Sequence, residues 1–107
     1  PFAYHLMLKK ELEDAIDNNR IEKYHFNLLR NLLEKTATFL GYSTWGDCVI
    51  LKDDKGNKED TAPYIRMINL HSHSSYSDYE GKQMAPELQN VLKRVYQQFI
   101  ENFNWKS

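Results

Sequence analysis

A single cysteine, Cys48, excludes an internal disulfide and a cysteine-built zinc site, and it fits a reducing compartment. Charge of one sign is also missing. The formal net charge of −1 excludes a generic cation that holds nucleic acid by net charge alone, although a local basic patch is enough to bind phosphate. No apolar run approaches the roughly 20 residues needed to span a bilayer, and no signal-peptide pattern is present. There is no Gly-rich phosphate loop, no Ser nucleophile motif and no Walker sequence. An initiating Met is absent as well: the chain opens at Pro1, as expected of a piece of a longer protein.

What is there describes a globular chain. The 107 residues suit one domain, 1–107, and folding buries roughly two-thirds of the exposed surface at this size. Hydrophobic content of 41% and aromatic content of 13% argue against disorder. Helical spacing dominates. Phe2, Tyr4, Leu6, Met7, Leu8, Leu12 and Ile16 predict a first helix, with Asp17-Asn18-Asn19 as its turn. A second helix is expected from about Ile21 to Leu40, ending at Gly41 and forming an antiparallel hairpin with the first. Residues 42–60 are irregular. Trp45, Val49, Ile50 and Leu51 suit a short helix or a strand, and 53–60 is a charged, exposed loop. A hairpin pairing Val49–Lys52 with Tyr64–Met67 ranks below helix. Thr61 before Ala62-Pro63 reads as an N-cap with Pro in the first turn, so a third helix runs on into His71-Ser72-His73. After a polar loop, Ala85-Pro86-Glu87 starts a last helix with Leu88, Val91, Leu92, Val95, Phe99 and Phe103 on its apolar side. No repeat or low-complexity tract is present.

The second helix carries the oddest pattern. At about 100° per residue, Leu28, Leu29, Leu32, Leu33 and Thr36 share one broad arc, and Asn27, Arg30, Asn31 and Glu34 share the other. Arg30 and Glu34 are i,i+4 neighbours. Such a pair is commonly a solvated surface ion pair of little energetic value. A lone Arg and Glu bordered by asparagines on so apolar a helix instead suggest a stripe that faces another helix. A second polar set lies in the third helix, where Arg66, Asn69 and His73 fall within about 60° of one another and His71 points about 140° from Arg66. Arginine holds phosphate by charge-assisted, bidentate hydrogen bonds, and histidine moves protons near neutrality. That combination suits metal-independent RNA chemistry. The plainer reading has Arg66 snorkelling at the surface and the histidines ending a helix. Both stay open on these residues alone. His71-x-His73 is a poor metal pair, because the two diverge on a helix and Asp78 or Glu80 would have to fold back to join them, so no metal or cofactor is expected. His25 belongs to the apolar side as a core or rim residue. Cys48 is read as buried packing, and Tyr76 and Tyr79 could stack on bases.

The stretch Tyr24–Tyr42, followed by Arg66–Ser75, resembles the C-terminal segment of the ABC/SMC-like ATPases that include the PrrC and RloC anticodon nucleases. The shared pattern is N-x-L-R-x-x-L-E, a Phe-Leu-Gly helix end, then R-x-x-N-x-x-S-H. Here these are Asn27, Leu29, Arg30, Leu33 and Glu34, then Phe39-Leu40-Gly41, then Arg66, Asn69, Ser72 and His73. The resemblance covers most of the chain from about Tyr24. It implies that Arg30, Glu34 and His73 form a catalytic set, with His71 in reserve. The segment also resembles HEPN domains, compact helical ribonucleases with an Arg-x4–6-His motif that commonly pair. Arg66 to His73 fits their six-residue gap and Arg66 to His71 the four-residue gap, while Met67 stands where those motifs usually carry a polar residue.

The expected architecture is therefore an all-α, HEPN-like bundle of four main helices with an irregular insertion at about 42–60. The expected function is a metal-independent, tRNA anticodon nuclease-like endoribonuclease that gives 2′,3′-cyclic phosphate ends. Catalysis would rest on Arg30, Glu34, His73 and Arg66, supported by Asn27, Asn69, His71 and Ser72. By resemblance, the partners are tRNA, an upstream ATPase domain that gates the activity in phage defence, and a second copy of the chain, in the cytoplasm with no membrane. The alternative is a catalytically inactive C-terminal dimerisation or effector-docking module, in which the same polar residues fix helix packing.

Overall fold

In the computed structural model, which describes residues 2–72 and 84–103, the first apolar set winds into α1 (Phe2–Asp17). Leu8, Leu12 and Ala15 recur at helical spacing and are buried. Leu6 and Met7 lie about 200° and 100° around the helix from Leu8 and stay exposed, so the apolar face is narrower than the composition of the segment suggests. The turn at Asp17–Asn19 forms as expected. Arg20 N–H donates to Ala15 O at 2.9 Å, and Asn19 takes a left-handed φ of 53°, which Asn tolerates better than most residues.

Helix α2 (Tyr24–Leu40) is the axis of the molecule and packs against every other helical element. It starts three residues later than Ile21, for a visible reason. Glu22 N–H donates to the His25 ring at Nδ1, 2.8 Å, and Ile21 is a fully buried anchor whose carbonyl accepts from Met84 N–H. Phe26, Leu29, Leu32, Leu33, Thr36 and Ala37 are buried along one side, and Leu28 is half-buried. Fully burying a leucine side chain contributes about 1.5–3 kcal/mol, so this stripe fixes the rotation of α2. Gly41 ends the helix at φ 79°. Its N–H donates to Thr38 O, while Tyr42 N–H reaches Ala37 O at 2.8 Å, the paired bonds of a Schellman motif. The first turns of α1 lie beside the last turns of α2, since Tyr4 and His5 share a groove with Lys35, Thr38 and Phe39. The two helices are thus antiparallel.

The segment over 42–60 is irregular, as expected. It holds one 3-10 turn (Trp45–Cys48), then an extended run in which Val49 and Leu51 are buried. The chain then reverses tightly, with an isolated antiparallel bridge between Lys52 and Lys58. Asp53 Oδ1 accepts from the N–H groups of Lys55 and Asn57, and Gly56 supplies a φ of 82°. The lower-ranked hairpin of Val49–Lys52 with Tyr64–Met67 does not form, because the latter is helical. Helix α3 (Ala62–Ser72) starts where predicted, but its side-chain cap comes from Asp60, whose Oδ1 accepts from Ala62 N–H at 3.1 Å. Helix α4 (Pro86–Asn102) has Pro in its first turn and buries Leu92, Val95, Tyr96 and Phe99. It also holds the irregular segment in place. Arg94 pairs with Glu59 at 2.6 Å and donates to Tyr64 Oη and Lys52 O, and Asn102 donates to Ile50 O. The all-α expectation of four main helices around an irregular insertion holds. Among the described residues no helix is long and apolar enough to cross a membrane.

Candidate functional site

The rotation of α2 decides where its polar stripe goes. Leu29 and Leu33 point into the core, so Arg30 and Glu34, one residue further on in each case, emerge at the edge of the helix that meets α3. On α3, Ile68 is buried against the core, and Ser72, one turn further on, is buried beside it. This brings Asn69 and Ser72, three residues apart, to the same edge.

The polar groups meet there. Arg30 Nε donates to Glu34 Oε1 at 2.7 Å, and Arg30 Nη1 donates to Asn69 Oδ1 at 3.3 Å and to Ser72 Oγ at 3.2 Å. Ser72 Oγ in turn donates to the Asn69 carbonyl at 3.1 Å. The Arg30 guanidinium also lies over the ring of Trp45, 5.7 Å from its centroid. Side-chain exposure is 25% for Arg30 and 43% for Glu34. The constellation is therefore neither a sealed core network nor a freely solvated pair. It is an oriented guanidinium at a partly open edge, the arrangement that suits holding an anion.

Two concavities flank it. Arg66 and Asn69 of α3 line a cavity of about 500 Å³ together with Thr44, Trp45 and Asp47. Glu34 lines the α1–α2 groove of about 570 Å³ with His5, Lys35 and Phe39.

Of the predicted residues, Arg30, Glu34, Asn69 and Ser72 come together. Arg66 is exposed on the cavity beside them, with no ion-pair partner among the described residues. Asn27 is half-buried three residues before Arg30 on the same stripe of α2. His71 does not join the constellation. It turns to the other side of α3, where its ring packs against Phe26 with centroids 5.4 Å apart. Burial, with help from the charge of Lys23, holds its pKa below the ordinary imidazole value, so it is neutral at pH 7. His73 lies outside the described residues, as do Tyr76, Asp78, Tyr79 and Glu80. Among the described residues no group of three or more His, Cys, Asp or Glu is placed to hold a metal ion. Cys48 is fully buried, with its thiol toward Leu33 O, and burial followed by the charge of Asp47 pushes its pKa up to about 11. It is packing and not a nucleophile.

Trp45 is the residue that sequence reasoning missed. Its signal was present: Thr44-Trp45-Gly46-Asp47 is an S/T-x-x-D/E capping box, and Thr44 N–H donates to Asp47 Oδ2 at 3.2 Å. A box in an irregular segment marks a short, fixed turn, and this one presents its tryptophan to Arg30.

No family model matches the chain, and no solved structure matches it. An anticodon nuclease of Escherichia coli is 42% identical to it over 102 residues, which is 94% of this chain and 24% of that protein. The chain is thus similar along nearly its whole length to one part of a nuclease, and it spans about a quarter of that relative's length.

Proposed function

We propose that the chain is a single HEPN-like domain that cleaves tRNA without a metal ion, the effector part of a longer protein that also carries an ATPase. The observation that carries this reading is the oriented, partly exposed guanidinium of Arg30, held by Glu34 from one side and by Asn69 and Ser72 from the other. The name of the similar E. coli protein supports tRNA as the substrate, and the fraction of that protein covered supports a larger whole. The resemblance to the ABC/SMC-like ATPases supports nucleotide-gated activity in cytoplasmic phage defence, with a second copy of the domain completing the groove.

In the proposed reaction a ribose 2′-oxygen attacks the adjacent phosphorus. The 2′-O–P bond forms, the P–O5′ bond breaks, and the products carry a 2′,3′-cyclic phosphate and a 5′-hydroxyl. His73, which follows Ser72 in the chain, takes or returns the proton. Arg30 stabilises the negative charge that builds on the pentavalent phosphorane, a role in which one preorganised donor is worth about 10²–10³ in rate. Glu34 holds Arg30 in that pose, and Arg66 binds phosphate beside it. His71, packed on Phe26, is a structural neighbour and not the proton carrier.

The bonds from Arg30 to Asn69 and Ser72 also favour a second reading, a non-catalytic docking or dimerisation module in which they fix α2 against α3. The two separate on product chemistry. Incubated with total tRNA and a chelator, the full chain should release fragments with cyclic phosphate and 5′-hydroxyl ends. A divalent-metal requirement or 5′-phosphate ends would refute the proposed reaction, and a folded chain that leaves tRNA intact would favour the module.

A further inference from the structure

We infer that the cavity beside Trp45 is a nucleotide subsite for the RNA strand, in which a base stacks on the Trp45 ring while the Arg66 guanidinium holds an adjoining phosphate. The inference rests on the RNA-cleaving reading above and adds where the strand lies. Its size suits the occupant: about 500 Å³ falls within the roughly 300–1,000 Å³ of ordinary ligand pockets.

The platform is rigid before any ligand arrives. The Thr44–Asp47 capping box holds the turn at its start, and Cys48 anchors its end in the core. Gly46 presses against α3 so closely that a Cβ there would come within 3.2 Å of Ile65 Cδ1. Trp45 is therefore fixed half-buried, its ring against Arg30 and also lining the cavity. Charge sets the direction. Among the described residues Arg66 is the one cation that lines the cavity, and it makes no ion pair there. The carboxylate of Asp47, held by Thr44 N–H, repels phosphate from its own edge. Phosphate therefore goes to the Arg66 side, and the base goes to the tryptophan. Since Trp45 and Asn69 both touch Arg30 and both line the cavity, a nucleotide bound there is next to the phosphate that Arg30 would hold.

The test uses fluorescence. The chain has two tryptophans, so Trp105→Phe leaves Trp45 as its only one. With His73→Ala added to stop cleavage, total tRNA is titrated in and binding is followed in parallel by filter retention. Stacking should quench Trp45 emission along the same isotherm as binding. Base stacking is lost when the ring is removed, so Trp45→Leu should weaken binding about tenfold or more, and Trp45→Phe should stay within about threefold of the parent. Arg66→Gln should weaken binding and lower the salt slope by about one. If tRNA binds while Trp45 emission stays constant and Trp45→Leu binds like the parent, the subsite is wrong and the nuclease reading stands. If that parent does not bind tRNA and the unsubstituted chain does not cleave it, both fall together.

Discussion

Replacing Arg30 and Glu34 by alanine, singly and together, gives a double-mutant cycle whose outcome follows from the geometry. The pair is 2.7 Å apart on one helix, with 25% and 43% of the two side chains exposed. Bare attraction at about 4 Å and an effective dielectric near 20 would be about 4 kcal/mol. Water and the entropy of holding two long side chains reduce measured exposed pairs to about 0.2–1 kcal/mol. Arg here precedes Glu, the weaker order along a helix, so a coupling of about 0.5 kcal/mol is expected. Arg30→Ala alone also removes the bonds to Asn69 and Ser72 and the Trp45 contact, for a total near 2 kcal/mol. That lowers the melting temperature by roughly 10 °C and leaves the chain folded. Urea titrations followed by circular dichroism give the coupling. A value above about 2 kcal/mol would mean that the pair acts as a buried lock and that Arg30 is not an open, functional guanidinium.

Three further outcomes follow. His25 is fully buried, and burial chiefly holds its pKa below the ordinary value, so the neutral form stabilises the fold. Stability should be complete above about pH 6.5 and fall as acidification proceeds toward the folded-state pKa, because the unfolded chain takes up the proton first; urea midpoints across that range should show it, and His25→Gln should flatten the slope to what His71 leaves. Gly41→Ala places a side chain at φ 79° with nothing within 4 Å of the new Cβ, so the cost is backbone strain alone, about 1 kcal/mol, read as a lowered thermal midpoint that Gly41→Asn partly restores. With its thiol pKa near 11 and its side chain sealed, Cys48 should react with a thiol reagent only after denaturant is added, and rapid labelling of the native chain would contradict its burial.

How much of this was legible beforehand depended on how local the cause was. Four helices, the stop at Gly41 and the Pro-led starts of α3 and α4 follow from period and capping chemistry within a few residues. The meeting of Arg30 with Asn69 was half-legible. Each helix shows its own polar stripe, and the narrowness of the stripe on α2 suggested a facing partner. The turn before α2 was not legible, since Ile21 is held out of the helix by a carbonyl bond from Met84, far along the chain. Nor was the role of α4, whose Arg94 reaches Glu59, Tyr64 and Lys52 across the irregular segment. Such bonds join residues with no shared period, so nothing in either neighbourhood announces them. Trp45 lies between these cases: the capping box around it is local, but its place over Arg30 is tertiary.

The guanidinium of Arg30 is proposed to work on RNA and to do more than join two helices. The most direct measurement is the cleavage rate of total tRNA by the full chain, compared with Arg30→Ala and His73→Ala at matched folded fraction. The parent should cleave, Arg30→Ala should lose about 10²–10³ in rate, and His73→Ala should be inactive, with both variants folded by circular dichroism. Undiminished cleavage by both variants would contradict that role of Arg30.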